Sequence, residues 1–302
     1  MMLSLLSDGQ VKCRDIDTLK RLIRYKLGGY IVAINNIPRG HPFFRGVNWR
    51  DRPISVSQIS YPPPTKVERF GRVNRPGVSM FYCSVAAAPV FFELRAKAGD
   101  YIALSEWETT ESIWLHHVGY HQVALTRMGA SDYPQRRRLT HPISRETNEN
   151  ARLRRLISLA FTQNVSLGEE YKYKQSVAIH ELLFDGASPL PTLSDGPPSS
   201  QAAGTAYPSL QMKGDADNGA LWPVFVDRSL KLRSVRYVLV EAADEVKQFY
   251  RLLTLATSRE FPGGKIVWQP SDGPDIERRS HIEFENGAWT LRDGRGRVYN
   301  RH

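Results

Sequence analysis

The run Val78-Ser79-Met80-Phe81-Tyr82-Cys83, then Ala86-Ala87-Ala88-Pro89-Val90-Phe91-Phe92-Glu93-Leu94, then Gly99-Asp100-Tyr101-Ile102-Ala103-Leu104 decides the fold class. Its first part is an apolar stretch of strand length that leaves the Gly- and Pro-rich turn of residues 71–77, and runs bounded in this way read as strands. The second part carries Pro89 near its start, Val90, Phe91 and Leu94 on one stripe, and Gly99 past its end. Proline suits a first helical turn and glycine a helix stop, so the pattern predicts a helix over residues 86–97 with Glu93 inside it. Residues 101–104 then predict a second strand. Strand, helix and strand in close succession describe an α/β or α+β architecture.

Working outward, residues 15–27 open with Asp15 as an N-cap and place Ile16, Leu19, Leu22, Ile23 and Leu27 on one helix face, ended by Gly28-Gly29. After an apolar run at 30–34 and a break at Pro38-Arg39-Gly40-His41-Pro42, Phe43-Phe44-Arg45-Gly46-Val47 reads as a short strand carrying one charge. Pro62-Pro63-Pro64 is a stiff extended connector, suited to walling a cleft. Downstream, residues 144–161 form the clearest amphipathic helix, with Leu153, Leu156, Ile157, Ala160 and Phe161 on one face. Residues 169–184 predict another helix. Residues 185–206 have the Pro, Ser, Gly and Ala content of a loop or linker. Residues 235–240 predict a strand. Asn286-Gly287 between residues 282–285 and 288–291 is a strong hairpin signal, because this pair tolerates the positive φ values of a tight turn. Asp293-Gly294 suggests one more turn, into Arg297-Val298-Tyr299.

The chain has 302 residues, of which 41% are hydrophobic and 10% aromatic, which suits a globular core rather than disorder. No apolar run reaches the roughly 20 residues that cross a bilayer. The N-terminus lacks a basic region followed by a long apolar one, so a cytoplasmic location is expected. Two cysteines, Cys13 and Cys83, leave one disulfide formally open, but they read rather as reduced, buried, small apolar residues. The net charge is +10, and residues 1–150 carry 21 basic and 13 acidic side chains against 20 and 18 in the remainder. Basic excess is compatible with nucleic acid, yet no helix-turn-helix, zinc finger or RNP-like sequence accompanies it. For Arg136-Arg137-Arg138 a solvated surface is the plain alternative, and a pocket for an anionic small molecule is a third.

Three polar positions stand where polar groups are costly unless used: Arg45 after two phenylalanines, Glu93 beside an apolar helix face, and Ser209 after Tyr207-Pro208, where proline favours extended backbone facing a cleft. Singly, each has an ordinary reading as a carboxylate-paired arginine, a solvent-facing glutamate and a turn serine. As a set they are more specific. Phe43-Phe44-Arg45-Gly46-Val47, Tyr61-Pro62-Pro63-Pro64, Gly71-Arg72-Val73-Asn74-Arg75-Pro76-Gly77, Phe81-Tyr82-Cys83 and Glu93, followed by Tyr207-Pro208-Ser209 and Asp217-Asn218-Gly219-Ala220-Leu221-Trp222-Pro223, resemble the RES domain family, named for its Arg, Glu and Ser. The resemblance spans about residues 42–123 and 204–240. The turn Phe70-Gly71-Arg72-Val73-Asn74 lacks the leading Gly and the Trp often found there.

The resemblance implies a fold related to the ADP-ribosyltransferase toxins. The expected class is α+β: a mixed β-sheet core with surrounding helices, a helical insertion and a C-terminal β-hairpin. Residues 1–40 read as an N-terminal helical extension, and residues 41–302 as the catalytic domain with an insertion at about 144–200. Compact members of the family do not account for residues 1–40, 144–200 or the tail after 241. The implied activity is degradation of NAD⁺ by hydrolysis or phosphorolysis, with NAD⁺ as substrate and no metal. Many members are toxins of bacterial toxin–antitoxin pairs, so a toxin or defence role and a cognate antitoxin or immunity protein are expected. Carried over, the site is Arg45, Arg72, Tyr82, Glu93 and Ser209; apart from the carry-over, Asp217-Asn218 offers a further lining of the pocket near Ser209, with Asn218 as the cofactor-binding candidate.

These residue types suit the chemistry. Arginine forks match the pyrophosphate of NAD⁺ through paired charge-assisted hydrogen bonds, a role for Arg45 and Arg72. Loss of nicotinamide leaves a cationic, oxocarbenium-like ribose, which Glu93 would stabilise, or Glu93 would orient the attacking water or phosphate. Tyr82 would stack on a ring or position ribose. Ser209 would hydrogen-bond nicotinamide or ribose, and no catalytic-triad context makes it a nucleophile. Transfer of ADP-ribose to a protein is an alternative activity, and a basic nucleic-acid-binding or interaction protein is the alternative from another class. His117 and His121, spaced as if on one helix face, have no third ligand in view and read as core or surface histidines, and Trp107, Trp114 and Trp222 read as core.

Overall fold

A computed structural model describes residues 5–130, 147–166, 168–187, 190–192, 197–244, 248–285 and 288–301. Arg136-Arg137-Arg138 and the turn residues Asn286-Gly287 lie outside them. The first third of the chain forms α1 (Asp8–Cys13), α2 (Ile16–Lys26), β1 (Ile34–Ile37), β2 (Pro42–Asn48), β3 (Phe81–Ser84) and α3 (Ala88–Glu93). Then come β4 (Tyr101–Thr109), β5 (Ile113–His117), α4 (Gln122–Met128), α5 (Asn148–Phe161), α6 (Tyr173–Leu183), β6 (Gly204–Pro208) and β7 (Asp217–Leu221). The last part forms α7 (Pro223–Ser229), β8 (Leu230–Asp244), β9 (Phe249–Ser258), β10 (Gln269–Pro270), α8 (Asp275–Arg278), β11 (Arg279–Glu285), β12 (Ala288–Asp293) and β13 (Val298–Arg301).

Among the described residues the strands make one sheet in the order β1-β5-β6-β7-β3-β2-β4-β8-β9-β11-β12-β13, with β10 paired to β9. β5 and β6 run parallel, while β1–β5, β6–β7, β3–β7, β2–β4 and β8–β9 are antiparallel pairs. The molecule is therefore α+β, with a mixed and mostly antiparallel sheet. β11 and β12 form the expected C-terminal hairpin, Glu285 opposite Ala288. No helix among the described residues is long and apolar enough to cross a membrane.

The decisive stretch folds as strand, helix and strand, with different boundaries. The first strand starts at Phe81, not Val78, because Ser79 turns aside and its hydroxyl donates to the Pro62 carbonyl at 2.6 Å. The helix over 86–97 is a correction: α3 covers only Ala88–Glu93. Ala88, Pro89, Val90, Phe91 and Phe92 are all buried, and the chain turns sharply at Arg95, whose φ of 48° is left-handed. Glu93 thus sits at the helix end. α3 lies close on the sheet because β2 offers Gly46 there, where a Cβ would come within 2.3 Å of Val90 Cγ1.

The N-terminal residues are not a purely helical extension. β1 pairs with β5 at one edge of the sheet, and α2, capped by Asp15 as expected, buries Leu19 and Ile23 in one core with Leu153, Ile157, Val177 and Ile179 of α5 and α6. Another core gathers Phe91 and Phe92 of α3 with Leu104, Val238, Tyr250 and Trp289. Cys83 is buried but Cys13 is exposed, against the expectation that both would be buried, and both are free thiols.

Where α6 meets the sheet, two histidines are fully buried, His116 on β5 and His180 on α6. His116 Nε2 lies 2.8 Å from the Ser199 carbonyl and His180 Nδ1 lies 2.9 Å from Thr205 Oγ1, with both rings against Phe184. Burial lowers His116 from 6.5 to about 4 and pushes His180 well down as well. Both are neutral in the fold, whereas in the unfolded chain they take up protons below about 6.5. The unfolded state therefore binds more protons between about pH 6.5 and about pH 4, and stability falls as pH falls through that window. Urea unfolding should show a loss of about 2 kcal/mol from His116 alone by about pH 5. A flat profile across the window would show that water reaches these rings.

Candidate functional site

Four neighbouring strands set the floor of a cavity of about 310 Å³. Arg45 comes from β2, Tyr82 from β3, Asn218 from β7 and Tyr207 from β6, and their backbones are placed by the register Tyr82↔Ala220, Ser84↔Asn218 and Tyr207↔Asn218. α3 brings Glu93 to the same cavity, and the turn before β3 brings Gly71 and Arg72. Five of the six expected site residues therefore line one space.

Ser209 does not line it, which corrects its expected contact with nicotinamide or ribose. It is fully buried behind the cavity wall, and its hydroxyl donates to Glu93 Oε1 at 2.5 Å while accepting from the Met212 N–H. Asn218 Nδ2 donates to the same Oε1 at 2.7 Å. Two donors on one oxygen fix the carboxylate's direction and leave Oε2 without a partner among the described residues. Glu93 itself is exposed, so that oxygen is reachable.

Arg45 is held without a carboxylate among the described residues. Its Nε donates to the Ser60 carbonyl at 3.0 Å and its Nη1 to the Tyr82 carbonyl at 2.8 Å, and it lies over the Phe81 ring. Burial lowers it to about 10, so it stays cationic near neutral pH. Two of its five N–H groups are used, and an anion would neutralise the charge. It also borders a second cavity of about 710 Å³ walled by Pro62 and Pro63, so the proline connector walls a cleft as expected. Arg72 is likewise free of carboxylates among the described residues. Its Nη1 donates to the Phe161 and Gln163 carbonyls at the end of α5, and its guanidinium lies between the rings of Tyr173 and Tyr207, at 5.3 and 5.8 Å from their centroids.

The turn before β3 acquires a physical reason. Tyr82 donates its hydroxyl to Asn74 Oδ1 at 2.6 Å and accepts from the Val73 N–H at 3.2 Å. A Cβ at position 71 would stand 2.3 Å from Asn74 Oδ1 and 2.6 Å from the Tyr82 hydroxyl, so any larger residue would push apart the Tyr82–Asn74 hydrogen bond. Burial raises the Tyr82 pKa above the ordinary tyrosine range, and the phenol stays neutral.

Sequence reasoning missed Tyr173, on α6, and quoted Tyr207 without giving it a role, yet both line the cavity. His117 ends β5 and His121 caps α4, so they do not share a helix face. Trp107 is core, and Trp114 and Trp222 are partly buried. Comparisons with family models, curated proteins and solved structures find no match to this chain.

Proposed function

We propose that this protein cleaves the bond between nicotinamide and ribose C1′ of NAD⁺. The observation that carries this reading is the Glu93 carboxylate, gripped on Oε1 by Ser209 and Asn218, with Oε2 left to a cavity that also presents Arg45 and Arg72. One fixed carboxylate and two arginines without carboxylate partners among the described residues fit a substrate with an anionic centre and a reacting centre that becomes cationic. The cavity is at the small end of the roughly 300–1,000 Å³ usual for ligand sites, which suits one ring-and-sugar half of a dinucleotide. The pyrophosphate then lies towards Arg45 and Arg72.

In the reaction the C1′–N bond breaks with its electron pair going to the pyridinium nitrogen, and nicotinamide leaves neutral. The ribose gains oxocarbenium character, and Glu93 Oε2 stabilises that charge. Water adding at C1′ gives ADP-ribose and a proton, and phosphate adding there gives the phosphorolysis product. Ser209 and Asn218 act through Glu93. The mixed sheet and surrounding helices are compatible with an ADP-ribosyltransferase-like core, and the proposed use as an intracellular toxin, with an antitoxin or immunity protein as partner, rests on the resemblance to the RES domain.

The test is incubation with NAD⁺, with and without phosphate, following nicotinamide and the ADP-ribose product by chromatography. Release of one nicotinamide per NAD⁺ consumed is expected. If NAD⁺ is untouched, and label from the adenosine half appears on no protein, the reading fails.

A further inference from the structure

We propose that Tyr173, the first residue of α6, is a substrate-contacting residue of this cavity, so that α6 supplies part of the site. The inference rests on the NAD⁺ reading above and assigns a residue that the resemblance leaves without a role.

Tyr173 lines the same cavity as Glu93 and Asn218 and is half-buried. Its hydroxyl has no hydrogen-bond partner among the described residues, whereas the Tyr82 hydroxyl is tied to Asn74 and Val73. A tyrosine in a purely packing role would need only its ring; a phenol left unpartnered at a cavity wall is available to a ligand. One side of the ring is occupied by the Arg72 guanidinium, so the two side chains hold each other in place.

The helix that carries Tyr173 is locked to the turn before β3. Ser176 Oγ donates to the Arg72 carbonyl at 2.6 Å, and Arg75 makes a two-pronged pair with Glu181 at 2.7 and 2.5 Å. Lys20 of α2 adds a further ion pair to Glu181 at 3.1 Å. A side chain fixed from both ends of its helix is pre-organised, so its contacts lower KM without an ordering penalty at binding. On this proposal the hydroxyl hydrogen-bonds NAD⁺ on the side of the cavity where the ring meets Arg72, and the ring covers that part of the substrate.

Initial rates against NAD⁺ concentration, for the full chain and for Tyr173→Phe and Tyr173→Ala, test this. Tyr173→Phe keeps the ring and should raise KM roughly three- to ten-fold with little change in kcat, the loss of one uncharged hydrogen bond. Tyr173→Ala should raise KM by about ten-fold or more, since the ring's cover is lost as well. Thermal melting of each variant reports on folding, and Tyr173→Phe keeps the test valid if the alanine variant is unstable. A wild-type enzyme that releases nicotinamide, together with an unchanged KM in Tyr173→Phe, overturns the inference and leaves the activity standing. A wild type that leaves NAD⁺ intact overturns the activity first, and the assignment of Tyr173 with it.

Discussion

Glu93→Gln should lower the rate of the proposed NAD⁺ cleavage by about a thousand-fold, in kcat and not in KM, the size of effect seen when a single charge-stabilising group is removed from an enzyme site. The amide has the shape of the carboxylate and can still accept at Oε1 from Ser209 and Asn218, but it brings no negative charge to the ribose as nicotinamide leaves. Because Glu93 is exposed and ends its helix, the fold should melt within a few degrees of wild type. Ser209→Ala, which removes one of the two donors, should cost roughly ten- to hundred-fold in kcat through a loosened carboxylate. A Glu93→Gln enzyme keeping more than about a tenth of the wild-type rate would remove the carboxylate from the mechanism.

Trp289→Ala destabilises the protein by about 3–5 kcal/mol, the range for deleting a large buried aromatic. Trp289 is fully buried, and its ring centroid lies 4.5 Å from that of Phe92, the residue before Glu93. Tyr250 of β9 meets Phe92 edge-on at 4.7 Å. The strands after residue 241 therefore brace α3 from behind, and the substitution opens a void next to the residue that carries the carboxylate. Urea unfolding followed by tryptophan fluorescence and circular dichroism measures the loss. A change below about 1 kcal/mol would mean that α3 is held without this ring.

The elements were legible where the local pattern is strong. Asp15 and the spacing of Leu19 and Ile23 announce α2, and Asn286-Gly287 announces the β11–β12 pairing. The helix around Glu93 was read too long because residues 94–97 keep helix-forming side chains while tertiary packing turns the chain at Arg95. Arg45, Arg72, Tyr82, Glu93 and Ser209 were legible as a set, through the resemblance, and the first four line one cavity, together with Asn218, which was read separately. That Ser209 is buried and donates to Glu93 was not legible, because a contact between side chains far apart along the chain leaves no mark on local spacing. Tyr173 was hidden for the same reason: its contact with Arg72 depends on how α5 and α6 dock.

The order of strands also sets a timetable. β6 and β7 lie between the strands that precede them in the chain, with β1 and β5 on one side and β3, β2 and β4 on the other. Glu93 is made 116 residues before Ser209 and 125 before Asn218. At about 5–20 residues per second of synthesis, the carboxylate waits on the order of ten seconds for its donors. Until residues 204–221 are made, a nascent chain lacks the bridging strands and the hold on Glu93 together, so on the proposed function the first two thirds of the chain cannot attack NAD⁺.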